Sequence, residues 1–295
     1  MASTRKRPIE LRESTRDVKT WTIFALTSGR SGTLSLCEVL KRNAPQCKIE
    51  HEPYTDPRNP SMFGRAIYAH TTGRLDLVRS LLRRKRRAIE RYRTPVYIET
   101  SHAFLKSYWD LAPEFFPQTK VIHLIRNPLE VARSEANREQ FLDKIHFPCR
   151  RYGEVGGRRY RRWALTELEP IFSSFDLSQL TLFQRYLIQW IEIENRAMDY
   201  LQRFDMQPRC LRLHSPRDLT SPQAVAAVLD FVGVAFAPEV SLPGIKHRTP
   251  GYPTVVGDNE FRQCRDIVAA LPSHYLEIFQ GEAYAGQAWA ALLSK

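Results

Sequence analysis

Trp21-Thr-Ile-Phe-Ala-Leu26 is a short apolar run rich in aromatic and β-branched residues, which predicts a buried strand. It passes directly into the polar segment Thr27-Ser-Gly-Arg-Ser-Gly-Thr33. Leu34, Leu36, Val39 and Leu40 then follow a helical pattern until Asn43-Ala-Pro45 interrupts it. The unit is strand, tight polar loop, helix. Lys48-Ile-Glu50 predicts a second short strand leading to His51-Glu52-Pro53, and Pro95 to Glu99 a third, ending at Thr100-Ser101-His102. Lys120 to Ile125 is the clearest strand after the first. Behind it, Asn127, Pro128 and Glu130 occupy the N-cap, first and third positions expected of a helix start.

Helices are predicted over Leu75 to Tyr92, about Thr181 to Phe204, Pro222 to Val232 and Glu260 to Phe279, with a further strand over Cys210 to Leu213. Trp190, Ile193 and Ala197 share one stripe of the long helix. Residues 238–256 read as a proline-containing loop. Residues 141–176 are rich in arginine and aromatics and have weak periodicity, so they are expected to form a variable insertion or lid. Strands alternating with helices imply an α/β fold: three layers, a mainly parallel central sheet and helices on both faces, opened by a P-loop-like strand–loop–helix. The expected organisation is a polar basic tail over 1–20, a single domain over 21–281 and a C-terminal tail over 282–295.

Composition narrows the function classes. The 295 residues are 43% hydrophobic and 26% charged, which fits a globular chain rather than a disordered or membrane-spanning one. No stretch of about eighteen apolar residues predicts a transmembrane segment, and the first twenty residues lack the apolar core of a signal peptide. Cytoplasmic localisation is the expectation. The five cysteines are an odd number without a Cys-x-x-Cys, against a disulfide framework or a zinc site. Lys and Arg total 44 against 32 Asp and Glu, a formal charge of +12, which favours an anionic partner without naming it.

The loop at 27–33 has the chemistry to hold an anion, because backbone N–H groups at a helix N-terminus point outward and the helix dipole assists. It is not a Walker A loop, since its cation, Arg30, precedes Gly32 instead of following it. A second anion site is suggested by Val121-Ile-His-Leu-Ile-Arg126-Asn-Pro-Leu-Glu-Val-Ala-Arg-Ser134. Arg126 leaves the C-terminal end of a predicted parallel strand, where ligands bind in open α/β sheets. Its guanidinium can make a bidentate contact to phosphate. Ser134 lies about two turns into the next helix.

Arg30-Ser31-Gly32-Thr33 resembles the 5′-phosphosulfate loop of sulfotransferases that use 3′-phosphoadenosine 5′-phosphosulfate (PAPS), with Arg where cytosolic members carry Lys. The Arg126 to Ser134 segment resembles the same family's 3′-phosphate motif, and the two occur in the family's order. Leu211-Arg-Leu-His-Ser-Pro-Arg-Asp-Leu219 looks like a later family segment, but His214 and Ser215 replace its usual aromatic and acid. Lys246-His247-Arg248 lies where cytosolic members place a late basic phosphate loop.

The resemblance implies transfer of a sulfuryl group from PAPS to a hydroxyl or amine without a metal, with carbohydrate ahead of other acceptors. A small-molecule or glycan acceptor is expected, and no nucleic acid. In this reading Arg30 stabilises charge on the bridging oxygen, while Ser31, Gly32, Thr33, Leu34 and Ser35 hold the phosphosulfate. Arg126 and Ser134 hold the 3′-phosphate. Two residues compete as the base: His102, placed like the histidine of cytosolic members, and Glu52, placed like the glutamate of several carbohydrate sulfotransferases. Glu99 is a third. The alternatives are a P-loop kinase-like phosphotransferase and a basic nucleic-acid-binding protein. The arginine runs 83–87 and 158–162 are read as solvated faces.

Overall fold

The computed structural model describes residues 20–53, 56–153, 157–237, 239–244, 249, 251–252 and 254–294. The greater part of the expected N-terminal tail and all of Lys246-His247-Arg248 lie outside these residues.

Chain order is β1 (Trp21–Leu26), α1 (Thr33–Asn43), β2 (Lys48–Glu50), α2 (Arg65–Thr71), α3 (Leu75–Arg91), β3 (Val96–Glu99), the short α4 (Phe104–Ser107) and α5 (Ala112–Phe115), β4 (Thr119–Ile125), α6 (Pro128–Lys144), β5 (Arg151–Gly153), β6 (Arg159–Arg161), α7 (Leu182–Arg203), β7 (Cys210–His214), α8 (Pro222–Val232) and α9 (Asp258–Ala270). Five strands form one sheet in the order β2-β3-β1-β4-β7. Every pairing in it is parallel, with Phe24 opposite both Glu99 and Val121 and Ile125 opposite His214. The chain builds leftward from β1 and then reverses to add β4 on the right. The switch point therefore lies between β1 and β4, the position at which open α/β sheets bind ligands beyond the strand ends.

Side-chain alternation along the strands distributes the core to the two faces. Ile23, Ile98, Ile122 and Leu124 pack with Leu36 and Leu40 of α1 and Val225 and Leu229 of α8. Phe24, Leu26, Tyr97 and Val121 face the other way, toward α2, α3, α4 and part of α7. A third cluster joins α6, α7 and α9, with Trp190 stacked on Phe279. Ala283, Tyr284, Trp289 and Leu293 are buried in it, so residues 282–293 pack against the domain. On α3, Val78, Leu82 and Ile89 are buried, while Arg83, Arg84, Arg86 and Arg87 face solvent.

Two elements differ from expectation. The last helix ends at Ala270, well short of Phe279. Pro272 explains this: it has no N–H for a helical bond and holds Leu271 in an extended conformation (ψ 142°), so the chain continues as 3₁₀ turns. Within 141–176, α6 runs on to Lys144, and β5 and β6 form a small antiparallel pair outside the main sheet. No described helix is long and apolar enough to cross a membrane. All five cysteines are free thiols.

The buried face of β3 holds a polar network around Glu99. Lys85 of α3 and Glu99 are an ion pair at 2.6 Å, with side chains 0% and 1% exposed. Tyr97 donates to the same Glu99 oxygen at 2.7 Å. Asn59 donates to Glu50 at 2.9 Å and accepts from Lys85 at 3.1 Å. Glu99 is thus held by Lys85 and Tyr97, and its partners are structural.

Candidate active site

Because all five strands run the same way, the segments after each C-terminal end emerge at one edge. They are His51-Glu52 after β2, His102 after β3, the loop 27–32 after β1, Arg126 after β4 and Ser215 after β7.

The first loop is anchored from below: the Thr27 hydroxyl donates to the Leu124 carbonyl on β4 at 2.8 Å, and the Ser28 and Ser31 hydroxyls are hydrogen-bonded to each other at 2.8 Å. Ser31 is fully buried, with its hydroxyl turned toward Ser28. Gly32 is the N-cap residue of α1 and lies in the left-handed region (φ 100°), which a side chain disfavours. A Cβ there would lie 2.6 Å from the Ser215 hydroxyl, which sits beside the loop. The first turn of α1 has no side-chain cap and no acidic residue. Its N–H groups and positive dipole end are consequently open to an anion.

Arg30 also has a positive φ (61°). Its Nε donates to the Ser134 hydroxyl at 3.0 Å. Arg126 donates to the Arg30 carbonyl at 2.9 Å and pairs with Glu130 at 2.8 Å. The two sequence motifs, about a hundred residues apart, therefore meet across the switch point. Asn127 caps α6 through its side chain, while Glu130 turns to Arg126 instead of completing a capping box.

His102 and Glu52 also meet. His102 Nε2 lies 3.4 Å from Glu52 Oε1, and His51 Nε2 lies 3.8 Å from the same oxygen. His102 is 3% exposed and its ring packs on Phe63. Burial first, and then the nearby Lys106 cation, pull His102 down to about 4. It is consequently neutral at pH 7, and its Nε2 faces the Glu52 carboxylate. Glu52 keeps 13% of its side chain exposed, so it lies on the open side of the pair.

The depressed His102 value has a consequence for stability. Between about 6.5, its unfolded value, and about 4 the unfolded chain binds a proton that the native chain excludes. The native state is therefore favoured above pH 6.5 and loses that advantage as pH falls toward 4. Thermal unfolding of wild type and His102→Asn from pH 7.5 to 4 checks this. The wild type is expected to lose more stability over the range, and equal slopes would show that His102 is not buried neutral.

Sequence reasoning missed three charged residues beneath the loop. Glu135, next to Ser134, is fully buried and ion-paired to Arg138 at 2.7 Å. Lys106, one turn after His102, is also fully buried and donates to the Trp163 carbonyl at 2.6 Å. Arg138 lies over the Trp163 ring. Burial works against the Glu135 anion, but Arg138, Lys106, His102 and Arg30 outweigh it and hold the carboxyl below its ordinary value. Burial pulls Lys106 down to about 7, with Glu135 opposing the shift. The one signal in the sequence was position: Glu135 directly follows Ser134 on α6, and Lys106, on α4, lies four residues after His102 in the preceding turn.

Chemically, the site offers an uncapped helix start for one anion, two arginines that flank it, and a carboxylate–imidazole pair able to take a proton. Among the described residues no cluster of His, Cys, Asp and Glu could hold a metal ion.

No family profile matches the chain, and no curated protein matches it. Solved structures do. A sulfotransferase domain from the curacin biosynthetic pathway is 14% identical, with 79% of this chain and 80% of that one covered and a TM-score of 0.46. A sulfotransferase domain from the Synechococcus PCC 7002 olefin synthase is 16% identical, covering 83% and 82%, with a TM-score of 0.45. A sulfotransferase from Alicyclobacillus acidocaldarius is 16% identical, covering 84% and 93%, with a TM-score of 0.45. The chain is thus similar, at low identity, to solved sulfotransferase structures.

Proposed function

We propose that the protein transfers a sulfuryl group from PAPS to a hydroxyl or amine, with a carbohydrate acceptor preferred. The observation that carries this reading is the meeting of Arg30, Ser134 and Arg126 at the uncapped start of α1, with the Glu52–His102 pair at the same sheet edge. A loop of this kind suits the phosphosulfate: the N–H groups of Gly32, Thr33 and Leu34 and the hydroxyls of Thr33 and Ser35 supply donors. The Arg30 guanidinium stabilises charge as it grows on the departing bridging oxygen. Arg126 and Ser134 bind the 3′-phosphate.

Glu52 acts as the base. It is the partly exposed member of the pair, within reach of an acceptor, whereas His102 is buried against Phe63. His102 donates an Nε2–H hydrogen bond to Glu52, keeps its proton, and orients the carboxylate toward the acceptor. In the transfer, the acceptor oxygen or nitrogen attacks sulfur in line, its proton goes to Glu52, and the S–O bond to the phosphate breaks. The electron pair leaves on adenosine 3′,5′-bisphosphate.

The test is transfer of label from ³⁵S-PAPS to glycans, phenols, lipids and peptides, beside γ-³²P-ATP, together with calorimetry of adenosine 3′,5′-bisphosphate. Sulfur transfer and binding that depends on the 3′-phosphate are expected. Phosphoryl transfer from ATP, or equal affinity for adenosine 5′-phosphate, would refute the reading. Arg126→Ala is expected to weaken bisphosphate binding about ten- to hundredfold, as for a lost charge-assisted hydrogen bond. Ser134→Ala should cost under about tenfold. The reverse order in calorimetry would remove Arg126 from the phosphate site.

A further inference from the structure

Gly29 and Gly32 are glycines for different reasons. Gly32 needs its left-handed backbone, but Gly29 is not among the residues of positive φ, so the turn does not require glycine there. What requires it is Glu135. A Cβ on Gly29 would lie 2.0 Å from Glu135 Oε1 and 3.4 Å from His102 Cε1. The back of the anion loop is therefore seated directly on a carboxylate oxygen, with the imidazole beside it.

That oxygen is buried and has no hydrogen-bond partner among the described residues. As a stability device this is poor, because a buried carboxylate oxygen left without a hydrogen bond is costly and an apolar side chain of similar size packs at less cost. Its placement, however, is central. Around Glu135 stand Arg138 from its own helix, Lys106 and His102 from the segment after β3, and Arg30 from the loop. His102 is faced by Lys106, Glu52 and Glu135, and Lys106 by Glu135, Arg138, Glu52 and Arg196. One anion thus touches the loop and stands at the centre of the cations that support it.

We propose that Glu135 is a positioning residue of the transfer site: its buried carboxylate is the counter-ion of Lys106 and Arg138 and the seat of Gly29, so that the anion loop and His102, behind Glu52, are set before substrates arrive. The proposal rests on the sulfuryl-transfer reading of this site. Groups fixed in advance need no reorganisation when charge develops, which is where electrostatic catalysis gains most. Removing Glu135 should therefore act on turnover more than on donor affinity, since the direct donor contacts come from other residues.

The experiment compares wild type, Glu135→Gln and Glu135→Asp by three measurements: the titration of Lys106 by NMR of ¹³C,¹⁵N-lysine-labelled protein, calorimetry of adenosine 3′,5′-bisphosphate, and turnover against pH. In Glu135→Gln, Lys106 is expected to titrate about one pH unit or more lower, because the opposite charge that favours its protonated form is gone. Turnover should fall about ten- to hundredfold, with bisphosphate affinity changed less than about threefold. The acidic limb of the rate profile should move to lower pH, since a negative charge near Glu52 and His102 has been removed. Glu135→Asp restores the charge but withdraws it from Gly29. It should restore the Lys106 titration more fully than turnover, and it serves as the folded comparison if the Gln variant does not fold. An unmoved Lys106, or a turnover loss accounted for entirely by affinity, overturns the proposal. A wild-type chain that fails to bind the bisphosphate, with the Lys106 shift intact, overturns the transfer reading and Glu135's part in it while leaving the ion pairing in place.

Discussion

Glu52→Gln is expected to reduce sulfuryl-transfer turnover by about two to four orders of magnitude, the usual span for loss of a general base, while bisphosphate binding stays near wild type. The amide keeps the size of the side chain and its contact with His102 Nε2, but it cannot take the acceptor proton. His102→Asn should have a smaller effect. It removes the donor that orients Glu52, not the proton acceptor itself, and His102 is already neutral at working pH because burial holds it near 4. For the same reason the rate profile should show no limb at about 6.5, the unperturbed histidine value. The measurement is single-turnover transfer from ³⁵S-PAPS across pH 5 to 9 for both variants. A His102→Asn loss larger than that of Glu52→Gln, with a limb near 6.5 in the wild type, would make His102 the base.

The second large effect concerns the fold. Lys85→Met should destabilise the protein by about 3–5 kcal/mol, the cost of leaving one partner of a buried ion pair charged and alone. Lys85 and Glu99 sit 2.6 Å apart, essentially inaccessible, on the α3 side of the sheet. Burial already pushes the Glu99 carboxyl above its ordinary value, with Lys85 pulling it back. Without the lysine the acid must take up a proton or remain an unpaired buried anion. The double variant Lys85→Met with Glu99→Gln should recover a large part of the loss, because neutral groups of similar size avoid the desolvation penalty. Urea unfolding of the four proteins gives the coupling directly. If the two single losses simply add in the double variant, the pair is not interacting as described.

Much of this protein was legible in the chain. Short apolar runs alternating with helical patterns were enough for the parallel α/β architecture, because strand and helix periods differ and parallel strands need helical crossovers. The two motifs proposed to hold anions were readable for a local reason: a loop entering a helix, or an arginine followed by Asn127-Pro128, is built from neighbours in sequence. Proline and glycine effects were only partly read, since Pro272 was visible but the expected helix was carried through it.

Which residues stand beside one another was decided by the sheet order and by burial. Glu52 and His102 stood as competing bases on separate segments. Only the adjacency of β2 and β3 sets them 3.4 Å apart, a partly exposed carboxylate against a buried imidazole. Gly29 was one residue of a polar loop, and only the packing of α6 under that loop shows that it makes room for Glu135. Glu135, Lys106 and Arg138 carried no pattern of their own, because an ionisable residue inside a domain is defined by which charges lie nearby and how much water is excluded. Local sequence determined the elements and the loops that join them. The tertiary structure decided which charges became partners, because that depends on contacts between residues far apart in the chain.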